Sequence, residues 1–110
     1  IDEQDIFNVT MNESLAVALL TNLLKNAFVH NIDGGHIRIT VTKNSITFRN
    51  SGVENPLDKE HIFERFYQGT KKEGSTGLGL AIADSICRLQ HLSIRYYFEQ
   101  KEHCFEISRQ

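Results

Sequence analysis

Apolar positions fall into two kinds of rhythm along this chain. Between residues 12 and 30, Leu15, Leu19 and Leu23 recur every fourth position, as do Ala16, Leu20, Leu24 and Phe28. That is the period of a helix, apolar over so much of its circumference that the pattern predicts a well-buried element. Asn12 is placed to cap it, Glu13 sits in the favourable first turn, and Asp33-Gly34-Gly35 ends it. From His36 the rhythm changes to alternation: HIRITVT points Ile37, Ile39 and Val41 one way, Lys43-Asn44-Ser45 turns the chain, and ITFRN returns with Ile46 and Phe48 inward. A loop from Ser51 to Pro56 leads to a short helix from Asp58 that carries Ile62, Phe63 and Phe66. After the polar loop GTKKEGST a second long helix begins near Gly77, and LSIRYYF and HCFEIS form a last pair of strands, with His36 and His103 flanking strands.

Hairpin-paired strands with helices between the pairs predict an α/β fold. It is a two-layer sandwich, a mixed and mostly antiparallel sheet covered on one face by about three helices. With 110 residues the chain is one domain, residues 1–110. A formal net charge of -2, with both signs interspersed, gives no nucleic-acid footprint. No apolar run is long enough to span a membrane. Cys87 and Cys104 lack metal-ligand spacing and read as reduced core thiols, which points to the cytoplasm. The abrupt opening IDEQDIF reads as a piece cut from something longer.

Polar residues that interrupt the apolar rhythm are the candidates for chemistry. Asn22, Asn26 and His30 share one helix face at spacing four, where a buried amide left unpaired costs roughly 1–3 kcal/mol. They are either amides bonded to a neighbouring loop or a polar stripe lining a pocket, with an amide oxygen suited to Mg²⁺. Asn50 and Gly52 belong either to a plain Asn-Ser-Gly turn or to a ligand-reading strand end. Gly77-Leu78-Gly79-Leu80 enters a helix whose unpaired first-turn N–H groups and positive dipole end suit phosphate oxygens. Ser75 and Thr76 add hydroxyls there, and Lys71 and Lys72 add charge. No strand leads into this glycine segment and it lacks Gly-Lys-Ser/Thr, so it is neither a Rossmann fingerprint nor a P-loop.

Taken in order, NLLKNA, IFERFY and GSTGLGLAI resemble the asparagine, phenylalanine and second glycine boxes of the ATP-binding catalytic domain of bacterial sensor histidine kinases. The resemblance runs from about Asn12 onward. It implies an α/β sandwich with ATP held under a short mobile lid, Gln68 to Ser75, whose near end is anchored by Phe63, Phe66 and Tyr67. It implies that Asn26 holds Mg²⁺ and phosphate, and that Asn22 stands where related ATPases carry a water-activating glutamate. An amide there suits transfer over hydrolysis, and so disfavours a simple ATPase. His30 would pack on the base, Asn50 and Gly52 would read adenine, and Thr76, Gly77, Leu78, Gly79 and Leu80 would form the phosphate loop and helix start. Arg65, Lys71 and Lys72 would neutralise charge, with Tyr67 beside the nucleotide.

Asn50-Ser51-Gly52-Val53-Glu54 replaces the family's usual Asp-x-Gly-x-Gly, and Val29 stands where a lysine or arginine is frequent. Weaker nucleotide binding than is usual for the family follows as an expectation. The implied activity is γ-phosphoryl transfer from ATP to a histidine in two-component signalling. None of His30, His36, His61, His91 and His103 precedes an acidic residue, so the phosphoacceptor and dimerisation helices are expected N-terminal to this chain. The implied whole is a homodimeric inner-membrane sensor. In it this domain lies on the cytoplasmic side, without membrane contact of its own, and works with a response regulator downstream. The alternative is a degenerate module that binds nucleotide or partners without phosphotransfer. Leu57, Ile62 and Phe63 are open to two readings, a docking surface for the acceptor helices or burial in the core.

Overall fold

The computed structural model describes residues 2–3, 11–29, 34–52, 60–64 and 78–110, with backbone alone at 2, 3 and 29. Five strands and two helices are defined among them: β1 (Asp2–Glu3), α1 (Glu13–Val29), β2 (Ile37–Val41), β3 (Ser45–Asn50), α2 (Gly79–Leu89), β4 (Leu92–Glu99) and β5 (Glu102–Arg109). The sheet order is β1-β2-β3-β5-β4. All pairings are antiparallel except that of β1, two residues long and parallel to β2, which the sequence pattern did not signal.

Local chemistry sets the elements. Asn12 Oδ1 accepts the Ser14 N–H at 2.8 Å, and the Ala16 N–H reaches the Asn12 carbonyl at 3.0 Å, so the cap of α1 is as expected. In the β2–β3 hairpin the Thr42 N–H donates to the Ser45 carbonyl at 2.8 Å, while Thr42 Oγ1 accepts from the Ser45 N–H at 3.1 Å. The register sets Ile39 opposite Phe48 and Val41 opposite Ile46. The β4–β5 hairpin turns on Gln100 and Lys101, both left-handed with φ of 52° and 63°. Two left-handed residues between paired strands make a primed turn, usually the province of asparagine and glycine.

Both helices lie on one face of the sheet, α1 on β3 and α2 on β4, and pack against each other. The core between layers holds Leu19, Leu23, Phe48, Ala83, Ile86, Leu92, Tyr96, Phe105 and Ile107. The expectation of a well-buried α1 needs correction. Leu19, Leu23 and Ala27 are buried, but Val17, Leu20 and Phe28 are 57%, 41% and 71% exposed. A helix resting on one sheet and one neighbour can hide only a stripe of its surface, so Leu20 and Phe28 of the second apolar series point outward while Leu24 packs on the core.

The short helix expected from Asp58 is a hydrogen-bonded turn over its described part, with the Glu64 N–H bonded to the His61 carbonyl at 2.9 Å. Its start and continuation lie outside the described residues. Ile62 is 2% exposed and Phe63 meets Phe105 edge-on at 6.2 Å between centroids, so both serve the core. Of the docking and core readings left open for them, the core reading holds. Leu57 lies outside the described residues. So does the lid, residues 68–75.

Candidate functional site

Two of the segments that interrupt the apolar pattern meet where α1 packs on the start of α2. Asn22 is half-buried on α1, where its Nδ2 donates to the Ala18 carbonyl at 2.7 Å. That bond holds the amide so that Oδ1 faces the start of α2. A Cβ built on Gly79 would lie 3.2 Å from Asn22 Oδ1. Only a glycine lets the α2 backbone come this near the amide without something shifting. The asparagine and glycine segments, 57 positions apart, therefore meet side chain against bare backbone.

Helix α2 starts at Gly79, two residues later than expected, with Leu78 in the N-cap position at φ -108°, ψ -25° and no side-chain capping bond. Its first turn includes neither an acidic side chain nor a hydroxyl. A helix opening in this manner offers N–H groups and the positive end of its dipole to an anion. Leu78 and Leu80 are half-buried, and Leu80 packs on the core, which fixes the direction of the helix. Asn26 is half-buried one turn beyond Asn22 on α1.

At the end of β3, Asn50 points to the helix-facing side with Phe48, since alternate residues share a face. It is 2% exposed, and its Nδ2 donates to the Ser51 carbonyl at 2.7 Å. Ser51 is itself tied down: its Oγ accepts the His36 N–H at 2.7 Å and its N–H donates to the His36 carbonyl at 3.1 Å. One amide N–H is spent in this way, and the oxygen and the second N–H are what Asn50 can still offer a ligand. Gly52 is buried next to it.

His103 corrects the sequence reading. It does not flank a strand but lies within β5, 5% exposed, paired with Asn50 on one side and Phe98 on the other. Its Nδ1 and the Tyr96 hydroxyl are 2.7 Å apart, and Phe98 packs on its ring at 4.9 Å. The signal was available, because His103, Phe105 and Ile107 alternate onto one face. His30, Arg65, Tyr67, Lys71, Lys72, Thr76 and Gly77 lie outside the described residues, as does the side chain of Val29.

Both cysteines are free and buried. Burial, helped by Asp84, pushes the Cys87 thiol up to about 11, and burial also raises that of Cys104. These are reduced core thiols, as the sequence reading had them, and their raised pKa disfavours the reactive thiolate. Among the described residues no cluster of three or more His, Cys, Asp or Glu side chains is arranged to hold a metal ion. A hard cation here would depend on amide oxygens such as that of Asn26 together with oxygens of its ligand.

Comparison with known proteins fits this geometry. The pattern of the histidine kinase-, DNA gyrase B- and HSP90-like ATPases matches residues 11–108. The chain belongs to that ATPase family. Its relatives include sensor histidine kinases. The sensor histidine kinase RppB of Synechocystis is 43% identical over 84 residues, covering 68% of this chain and 18% of that protein. The heme sensor protein HssS of Staphylococcus aureus is 38% identical over 94 residues, covering 81% and 21%. The chain thus spans about a fifth of the length of these relatives. Among solved structures, the catalytic domain of histidine kinase ThkA superposes with a TM-score of 0.79 at 25% identity, covering 96% of this chain and 73% of that one. The mycobacterial sensor histidine kinase MprB superposes at 0.75, with 19% identity and 92% and 77% coverage. The α/β sandwich is therefore that of histidine-kinase catalytic domains. No helix among the described residues is long and apolar enough to cross a membrane.

Proposed function

We propose that this domain binds Mg-ATP and passes the γ-phosphoryl to a histidine on a separate phosphoacceptor and dimerisation domain in two-component signalling. The observation that carries the proposal is the meeting of Asn22 with Gly79, which joins the asparagine face of α1 to the glycine start of α2. In this reading the α2 N-terminus holds phosphate oxygens, Asn26 offers its amide oxygen, and Asn50 Oδ1 accepts the exocyclic amino group of adenine. Mg²⁺, when bound, would neutralise charge on the phosphates. Asn22 stands where a carboxylate would be needed to activate water and cannot serve as that base, so transfer is favoured over hydrolysis. The protein's own task is positioning and charge neutralisation. Arg65, Lys71, Lys72 and Thr76 are assigned to the phosphate side, and His30 and Tyr67 to the base, by resemblance. The same resemblance assigns a response regulator as downstream partner and a cytoplasmic position beside an inner-membrane sensor.

Calorimetric titration with ADP, with and without Mg²⁺, tests this. Mg²⁺-enhanced binding that Asn26→Ala weakens at least about tenfold, the loss of one charge-assisted contact, is the expected result. Absence of binding up to millimolar ADP would overturn it.

A further inference from the structure

The Asn50 amide is not only buried but held in one orientation. Its Nδ2 donates to the Ser51 carbonyl at 2.7 Å, and Ser51 is in turn pinned to the start of β2. Ser51 Oγ accepts the His36 N–H at 2.7 Å and donates to the His36 carbonyl at 3.3 Å, while the Ser51 N–H donates to the same carbonyl at 3.1 Å. His36 is no loose strand end either. Its Nε2 meets Glu102 Oε2 at 2.7 Å, on a carboxylate that also takes Arg38 at 3.0 Å. On β5 the residue paired with Asn50 is His103, whose ring is fixed by the Tyr96 hydroxyl at 2.7 Å and by Phe98 at 4.9 Å. An amide anchored in this way cannot turn over without losing its bond and setting its oxygen against a carbonyl.

Orientation matters because an asparagine amide presents an acceptor and a donor side by side, and turning it over exchanges them. Purines differ in the same sense along the edge formed by N1 and position 6. Adenine has a donor at N6 and an acceptor at N1. Hypoxanthine and guanine have an acceptor at O6 and a donor at N1. An amide free to flip satisfies either edge; a held amide satisfies one.

We propose that Ser51 is a positioning residue that sets base selectivity, holding the Asn50 amide so that the site fits adenine and turns away 6-oxopurine nucleotides. The proposal rests on the reading of Asn50 as the residue that meets the base. A carbonyl one residue on lies on the main-chain side of the amide, so it takes the N–H that faces Cβ. The N–H left over lies beside Oδ1 and points the same way. Oδ1 then accepts from adenine N6–H while this N–H donates to N1. A 6-oxopurine in the same pose sets O6 against Oδ1 and N1–H against the amide N–H, so two bonds become two repulsions. A carboxylate at position 50, with two like oxygens, would have no such orientation to hold.

Calorimetric titration of the wild-type chain with ADP and with inosine diphosphate, both with Mg²⁺, is expected to show ADP binding at least about tenfold tighter. Inosine diphosphate is the probe because it lacks the N2 amino group of guanine, which leaves the polarity of the edge as the difference. Ser51→Ala loses both Oγ bonds and should cut the ratio of the two affinities at least about threefold, and Ser51→Thr, which keeps a hydroxyl, should preserve it. A merely structural Ser51 would weaken both nucleotides alike, and an unchanged ratio in Ser51→Ala would overturn the proposal. Equal binding of the two nucleotides by the wild type would overturn it while leaving the ATP reading in place; binding of neither would remove both. Ligand substitution gives a check that no folding defect can touch. On the wild type, 1-deaza-ADP, which lacks the N1 acceptor, should bind at least about tenfold more weakly than ADP, and 7-deaza-ADP should bind as ADP does. Full affinity for 1-deaza-ADP, or a loss with 7-deaza-ADP in its place, would mean that the amide does not point as inferred and would overturn the proposal.

Discussion

On the helix-facing side of the sheet, Phe48, Phe105 and Ile107 are each 2% exposed beneath α1 and α2, in the ordinary manner of an apolar core. The other side has no helical layer among the described residues, yet Thr47 and Cys104 there are 3% and 0% exposed. They are covered by the long side chains of the sheet itself. Arg95 Nε bonds Glu106 Oε1 at 2.5 Å and its guanidinium lies 5.0 Å from the Tyr97 ring, with Arg49 6.0 Å from the same ring. Glu102 takes His36 Nε2 at 2.7 Å and Arg38 at 3.0 Å. One face is dry because a second layer was added, the other because charged side chains lie flat over it with their stems as cover.

The two strategies differ in what a single deletion should cost. Phe105→Ala removes a ring that touches Tyr96 and Phe63 and should cost about 3–5 kcal/mol in urea unfolding. Arg95→Ala, on a side chain 67% exposed, should cost about 1 kcal/mol or less, because solvent replaces the partner it loses. Equal costs at the two positions would mean that the outer face is a second core and that the contrast is wrong.

Titration sharpens the same contrast on the dry side. The Cys87 thiol ionises near 9.0 when free and about 11 when folded, chiefly from burial. Its folded value is raised, so its contribution is complete below pH 9 and disappears as pH rises through 11. Stability should fall by about 2–3 kcal/mol over that window, two units at 1.36 kcal/mol each. Cys87→Ala should flatten the slope of unfolding free energy against pH, whatever it does to the absolute value. Cys104 and Tyr97, both also raised by burial, are further contributors on the outer face, where Arg49 opposes both shifts.

The site lies where the apolar pattern of the inner face breaks, and there one charge suffices for a test. Asn50→Asp would set a carboxylate where Nδ2 now donates to the Ser51 carbonyl at 2.7 Å, in a position 2% exposed. The lost bond and the repulsion between oxygens should destabilise the fold by about 1–3 kcal/mol, read by thermal unfolding. A neutral effect would show that the amide is not held by Ser51, and with it the orientation that offers its oxygen to the ligand would fall.

Most of this could be read before any coordinates, and the exceptions have physical causes. The hairpins followed from period-two alternation, and the α1 cap from Asn12 two residues before Ser14. The nearness of Asn22 to Gly79 could be inferred only through the resemblance, because nothing local in either helix encodes a contact 57 residues away. The outward turn of Val17, Leu20 and Phe28 was missed because periodicity reports how much of a helix is apolar, not how much of it finds a partner. His103 was misplaced by one residue of strand boundary. The parallel pairing of Asp2 and Glu3 with Thr40 and Val41 has no composition signal, since two charged residues make an unlikely-looking strand.

The Gln100–Lys101 turn was missed for a related reason and gives the smallest effect. Both residues have positive φ, 52° and 63°, where a Cβ crowds the backbone at a cost of roughly 1–2 kcal/mol each. The strands on either side impose the conformation: with Glu99 and Glu102 paired, only a primed two-residue turn matches their twist. Relief should therefore be available without moving the strands. Lys101→Gly removes the crowding, but its unfolded chain is more flexible, and the two effects together should leave a gain of about 0.5–1 kcal/mol. That corresponds to a rise in Tm of a few degrees, about 4 °C per kcal/mol at this size. A fall in Tm would mean that Lys101 contributes through its side chain, and that the hairpin is held by more than strand pairing and turn geometry.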